Sequence, residues 1–83
     1  MKIPRDISSD NLIQLLKKYD YKITHQTGSH IRLTSNIKNI EHHITIPTHK
    51  DLKIGTLSNI LKDISRYLEI DKDNLIQNLF NYV

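Results

Sequence analysis

The chain has no cysteine, no tryptophan, two glycines and two prolines in 83 residues. Without cysteine there is neither a disulfide framework nor a thiolate metal site. No apolar run approaches the roughly 18–20 residues that cross a bilayer. The start, MKIPRDISSD, lacks the apolar stretch of a signal peptide. A cytoplasmic protein without a membrane role is expected. A chain this short has room for one hydrophobic core, so residues 1–83 are expected to form a single domain. Its stability then depends on packing, a partner or oligomerisation. No repeat, low-complexity segment or linker interrupts it.

What the chain does hold is histidine. There are five, all between His25 and His49. Net charge is +3 with histidines neutral, a mild bias towards anionic partners.

Periodicity sets the order of elements. Ser8-Ser9-Asp10 offers N-cap candidates. Leu12, Ile13, Leu15, Leu16 and Tyr19 recur at helical spacing, predicting a helix over 9–19 with Lys17 and Lys18 in its last turn. Tyr21, Ile23 and His25 alternate with Lys22, Thr24 and Gln26 as a first strand, which puts His25 on the inward phase in a structural role. Thr27-Gly28-Ser29 suits a tight hairpin turn with Gly28 at positive φ. His30 to about Ser35 alternates as a second strand. Residues 40–46 form a third, ended by Pro47. Leu57, Ile60, Leu61, Ile64, Tyr67 and Leu68 make the strongest helical stripe, opening at Ile54-Gly55-Thr56. Asp71 or Asp73 caps a final short helix carrying Leu75, Ile76, Leu79 and Phe80. The expected fold is α+β, an α-β-β-β-α two-layer sandwich with a short extra C-terminal helix.

Register follows from burial. Ile31 and Leu33 are odd-numbered, whereas Ile44 and Ile46 are even-numbered. Facing positions must therefore pair odd with even, or one strand turns its apolar side to solvent. His30 then lies opposite Thr45 or Pro47, and Arg32 opposite His43 or Thr45. The helix-free face collects His30, Arg32, His43 and Thr45, and the loop Pro47-Thr48-His49-Lys50 leaves from the edge beside His30. One end of the sheet is expected to gather His30, His49, Lys50 and Lys53.

Such a group suits a polyanion. A neutral imidazole can accept a proton from a ribose 2′-hydroxyl near neutral pH. Arginine and lysine can hold phosphate and stabilise developing charge. Backbone N–H groups at Gly55-Thr56 could add to it. A zinc site from His30, His43 and His49 would have no cysteine and no HExxH-type spacing. His42 and His43 fall on opposite faces of one strand. No metal and no other cofactor is expected.

Three blocks resemble one family. Helix residues Asn11–Lys18 precede Gly28-Ser29-His30; Ile44-Thr45-Ile46-Pro47 with Thr48-His49 follows; Gly55-Thr56-Leu57-Ser58-Asn59-Ile60-Leu61 comes last. Together, over about residues 8–70, they are similar to the HicA (YcfA-like) family of small toxins from HicA–HicB toxin–antitoxin pairs. The resemblance implies a double-stranded-RNA-binding-domain-like fold and endoribonuclease activity on mRNA. It also implies a HicB-like antitoxin that covers the toxin and supplies DNA binding. By motif match the catalytic residue is His30, with Gly28 and Ser29 shaping the turn that presents it. Arg32, His49 and Lys50 are candidate phosphate contacts, and His49 is also a candidate second acid–base group. The chain departs from the family in three places. Asp20 stands where glycine is common, Thr27 where a basic residue is common, and the segment from Asp71 onward is longer. The alternative is a non-catalytic RNA-binding module of the same fold.

Overall fold

The computed structural model describes residues 3–80. The elements are α1 (Ser9–Leu16), a 3-10 turn (Lys17–Tyr19), β1 (Lys22–Gln26), β2 (His30–Ser35), β3 (His42–Pro47), α2 (Ile54–Leu68) and α3 (Lys72–Phe80). This is the α-β-β-β-α order with an added C-terminal helix, as the periodicity predicts.

The first helix starts where a capping box sets it. Ser8 Oγ accepts from Asn11 N–H at 3.0 Å and Asn11 Oδ1 accepts from Ser8 N–H at 3.4 Å. The α-helix then ends at Leu16, shorter than the periodicity suggests. The chain tightens into a 3-10 turn and stops at Asp20, which takes the left-handed conformation (φ 65°). Aspartate tolerates this region better than most non-glycine residues.

The sheet is antiparallel with strand order β1-β2-β3. In the β2–β3 ladder Ile31 faces Ile46, Leu33 faces Ile44, Arg32 faces Thr45 and His30 faces Pro47. Odd pairs with even, as burial demands, and the buried residues of both strands point to one face. The core joins that face to Leu12, Ile13 and Leu16 of α1, Leu57, Ile60, Leu61, Ile64 and Leu68 of α2, and Leu75, Ile76 and Leu79 of α3. Asp71 Oδ2 accepts from Asp73 and Asn74 N–H and so opens α3. Lys18 Nζ donates to Asn78 O at 2.8 Å, tying α3 back to the end of the first helix. The C-terminal segment is therefore part of the packing.

The first strand differs from its expectation in two ways. All five of its residues are exposed, including Ile23 at 50 %. Ile23 borders an open groove beside Ile13 of α1 instead of being closed into the core. Its pairing with β2 also slips: Ile23 faces Leu33, but His25 faces Arg32, leaving Thr24 as an extra residue. Such a bulge shifts the strand's alternation by one. His25, expected inward, therefore pairs with an outward residue and is exposed.

Candidate functional site

The hairpin between β1 and β2 is built around a threonine. Thr27 N–H donates to His30 O at 2.9 Å. Thr27 Oγ1 accepts from the N–H groups of His30 (3.1 Å) and Ser29 (3.4 Å). The side chain thus satisfies donors that a tight turn would otherwise aim at a carbonyl. Gly28 does not take the positive φ expected of it. A Cβ added there would meet nothing within 4 Å. The turn conformation is held by Thr27, and Gly28 leaves an open approach to the backbone.

His30 follows directly. Its ring is exposed, and Nδ1 is 2.9 Å from Ser29 Oγ. The direction of the bond between Ser29 and Nδ1 decides the tautomer and hence what Nε2 offers. With Nδ1–H donating to Ser29 Oγ, Nε2 presents a lone pair. With Ser29 O–H donating instead, Nε2 carries the proton. Among the described residues nothing bonds to Nε2.

The rest of the helix-free face can be laid out from the register. Arg32 sits in the centre of β2, flanked by His25 on β1 and Thr45 on β3. His30 is two residues along β2, on the same face. On the other side of Arg32, Thr34 Oγ1 bonds Thr24 Oγ1 (2.8 Å) and His43 Nδ1 (2.7 Å). His43 Nε2 lies 3.5 Å from Glu41. Arg32 and His25 are exposed and have no hydrogen-bond or ion-pair partner among the described residues. A guanidinium without a carboxylate partner, flanked by an exposed imidazole and a hydroxyl, is suited to phosphate.

The expected gathering at one sheet end forms in part. Thr48 N–H donates to Ser29 O at 2.9 Å, which brings the 48–53 loop against the hairpin turn. From there the loop turns to the helical layer. The His49 carbonyl accepts from Ser9 N–H (3.0 Å) and Ser9 Oγ (3.2 Å), at the start of α1. His49 and Lys50 line a shallow depression of about 260 Å³ with Ser8, Ser9, Asp10 and Thr48. Asp10 places a carboxylate there. Lys53 is the N-cap of α2, and Leu52 N–H bonds Ile7 O, which anchors that end to the N-terminal segment. No hydrogen bond or ion pair joins Lys53 to the other site residues among those described.

The opposite end of the β2–β3 ladder holds a cluster absent from the sequence reading. Tyr21 Oη is 2.6 Å from His42 Nδ1, and His42 Nε2 is 3.1 Å from Asp63 Oδ1. The Tyr67 ring stacks on His42 with centroids 4.6 Å apart and planes 10° apart. Burial first, then the neighbouring Tyr67 and Asp63, push the Tyr21 phenol well above its ordinary range. Tyr21 therefore keeps its proton, His42 Nε2 faces the Asp63 carboxylate and Nδ1 the phenol, and both nitrogens are used. Tyr67 O–H also donates to Ile40 O (2.5 Å) and accepts from Lys38 N–H (3.1 Å), fixing the β2–β3 loop. The only sequence signal for this cluster was the inward phase of His42.

Among the described residues no group of three or more His, Cys, Asp or Glu could hold a metal ion. No helix is long and apolar enough to cross a membrane. A groove of about 390 Å³ between α1 and β1, lined mainly by apolar surface with Ile13, Tyr21 and Ile23, holds none of the candidate residues.

No curated protein and no solved structure matches the chain. A family model does: that of the HicA toxin of bacterial toxin–antitoxin systems, over residues 9–65. The match runs from α1 through the sheet into α2 and includes Gly28-Ser29-His30, Arg32, His49 and Lys50, with α3 beyond it. With more than half its length covered and the α-β-β-β-α order in place, the chain belongs to the HicA toxin family, the toxin component of a toxin–antitoxin system.

Proposed function

We propose that this toxin is an endoribonuclease that cleaves mRNA with His30 as its general base, and that a HicB-like antitoxin neutralises it. The observation that carries this reading is the His30 ring, anchored at Nδ1 by Ser29 and open at Nε2. An imidazole held at one nitrogen has the orientation that proton transfer needs and the free lone pair that accepts the proton. In the proposed reaction Nε2 takes the proton of a ribose 2′-hydroxyl, and the 2′-oxygen attacks the adjacent phosphorus. Arg32, one strand repeat away on the same face, balances charge on the phosphate oxygens. Gly28 supports the same reading: it is neither crowded nor at positive φ, so its open backbone serves close approach of the RNA chain.

The test is induced expression of wild type and His30→Ala, followed by growth and by mRNA integrity. Wild type should arrest growth with loss of mRNA. His30→Ala should do neither, with cleavage by the purified protein slowed about 100-fold or more. Equal arrest by both variants removes His30 from the chemistry. RNA binding by both without cleavage by either makes the chain a binding module.

A further inference from the structure

We propose that His25 is the second acid–base group of the His30 site, the imidazolium that protonates the leaving 5′-oxygen. The inference rests on the ribonuclease reading above and extends it to a residue that the strand's alternation would have hidden.

The bulge at Thr24 is the first observation. It pairs His25 with Arg32 and so turns His25 to the helix-free face. Thr24 is outward as well, since its hydroxyl bonds that of Thr34. Distance is the second. His30 is the diagonal neighbour of His25 across the β1–β2 ladder, and such neighbours lie about 7–8 Å apart at Cα, within reach of long side chains. A phosphodiester held between the two rings, over Arg32, touches all three. Availability is the third. His25 is exposed with no bonding partner among the described residues, whereas His43 is engaged by Thr34 and Glu41. His49, the candidate from sequence, belongs to a loop whose backbone is tied to Ser9, in a depression shared with the Asp10 carboxylate.

The charged and titratable groups on this face are Lys22 and His25 from β1, His30 and Arg32 from β2, His43 with its neighbour Glu41 at β3, and Asp20, which lines a depression with Lys22, Thr24 and Thr34 at the far end from His30. The helices pack against the other face, and Asp20, the cap of the 3-10 turn, is the group they bring to this side. The step balances as follows. His30 Nε2 takes the 2′-hydroxyl proton as the 2′-O–P bond forms. The P–O5′ bond breaks, and the proton on His25 goes to O5′. The products are a 2′,3′-cyclic phosphate and a free 5′-hydroxyl, with His30 protonated and His25 neutral. Solvent restores both.

A leaving-group experiment isolates this role. The cleavage position of an RNA oligonucleotide is first mapped with wild-type protein. A second oligonucleotide then carries sulfur in place of the 5′-bridging oxygen at that position, because a thiolate leaves without a proton. His25→Ala should cut ordinary RNA about 100-fold more slowly and cut the sulfur-bridged RNA within a few-fold of wild type. It should also lose the fall in rate on the alkaline side of the pH profile, where a general acid gives up its proton. His30→Ala should slow both substrates. Circular dichroism on the exposed-site variants checks folding. The proposal is overturned if His25→Ala slows both substrates alike, which makes His25 a phosphate contact only, or slows neither. It is also overturned if His49→Ala shows the pattern assigned to His25. Full activity of His30→Ala on both substrates would instead overturn the ribonuclease assignment of His30 itself, whatever His25 does.

Discussion

His30 and His42 open the second and third strands and so stand at opposite ends of one antiparallel ladder. At His42 the fold uses the whole ring: Tyr21 on one nitrogen, Asp63 on the other, Tyr67 against the face. At His30 it uses one nitrogen and leaves the other to solvent. The same side chain is a fastener where its bonding capacity is spent inside the molecule and a reagent where half of it is left over. What separates the two is strand phase: His30 alternates with buried residues, whereas His42 shares its phase with Ile44 and Ile46.

The comparison can be broken most severely at His42. His42→Ala leaves the Tyr21 hydroxyl without its partner and removes the stack on Tyr67. A loss of about 3 kcal/mol is expected, read as a fall in Tm of more than about 10 °C for a domain of this size. Per folded molecule, RNA cleavage should persist. His30→Ala should give the opposite pair of results, and a Tm drop there comparable to that of His42→Ala would erase the distinction.

A smaller effect is expected at Tyr21→Phe, about 1 kcal/mol in urea unfolding at neutral pH. Its pH dependence is more telling. The folded state holds the Tyr21 phenol above its ordinary value. The unfolded chain therefore loses that proton first as pH rises, and stability falls from about pH 10 upward. Below that range the contribution is complete. Tyr21→Phe should flatten this alkaline decline; an unchanged slope would mean the phenol is not held as described. The smallest change is Ser29→Ala, which frees Nδ1 of His30. Losing one orienting hydrogen bond should slow cleavage by about 2- to 10-fold with no change in Tm, and a loss as deep as that of His30→Ala would make the Ser29 hydroxyl part of the chemistry.

Much of this was legible in the chain. The helical stripes place α2 at the predicted residues, and parity of Ile31 and Leu33 against Ile44 and Ile46 narrows the β2–β3 register to two alternatives, of which His30 opposite Pro47 is the one formed. Both signals come from many residues obeying one period. The failures fall where a single residue decides. One unpaired residue, Thr24, reversed the expected direction of His25, and nothing in KITHQ marks it. Ile23 reads as core, yet it is half exposed and borders an open groove beside α1. Gly28 reads as a positive-φ turn residue, but Thr27 supplies the hydrogen bonds that hold the turn. The His42 cluster joins residues 21 and 25 positions downstream with one 21 upstream, a proximity set by tertiary packing.

The extra residue in β1 has a consequence for life at high concentration. β1 is an open edge, exposed along its length, with an isoleucine in it. A straight edge of this kind is a template on which a second copy can continue the sheet. The slip at Thr24 interrupts the regular spacing of free N–H and C=O groups and increases the local twist. An incoming strand can match the edge on one side of the interruption but not on both. On the β1 side the sheet thereby keeps an uncovered border without offering a continuous one to extend.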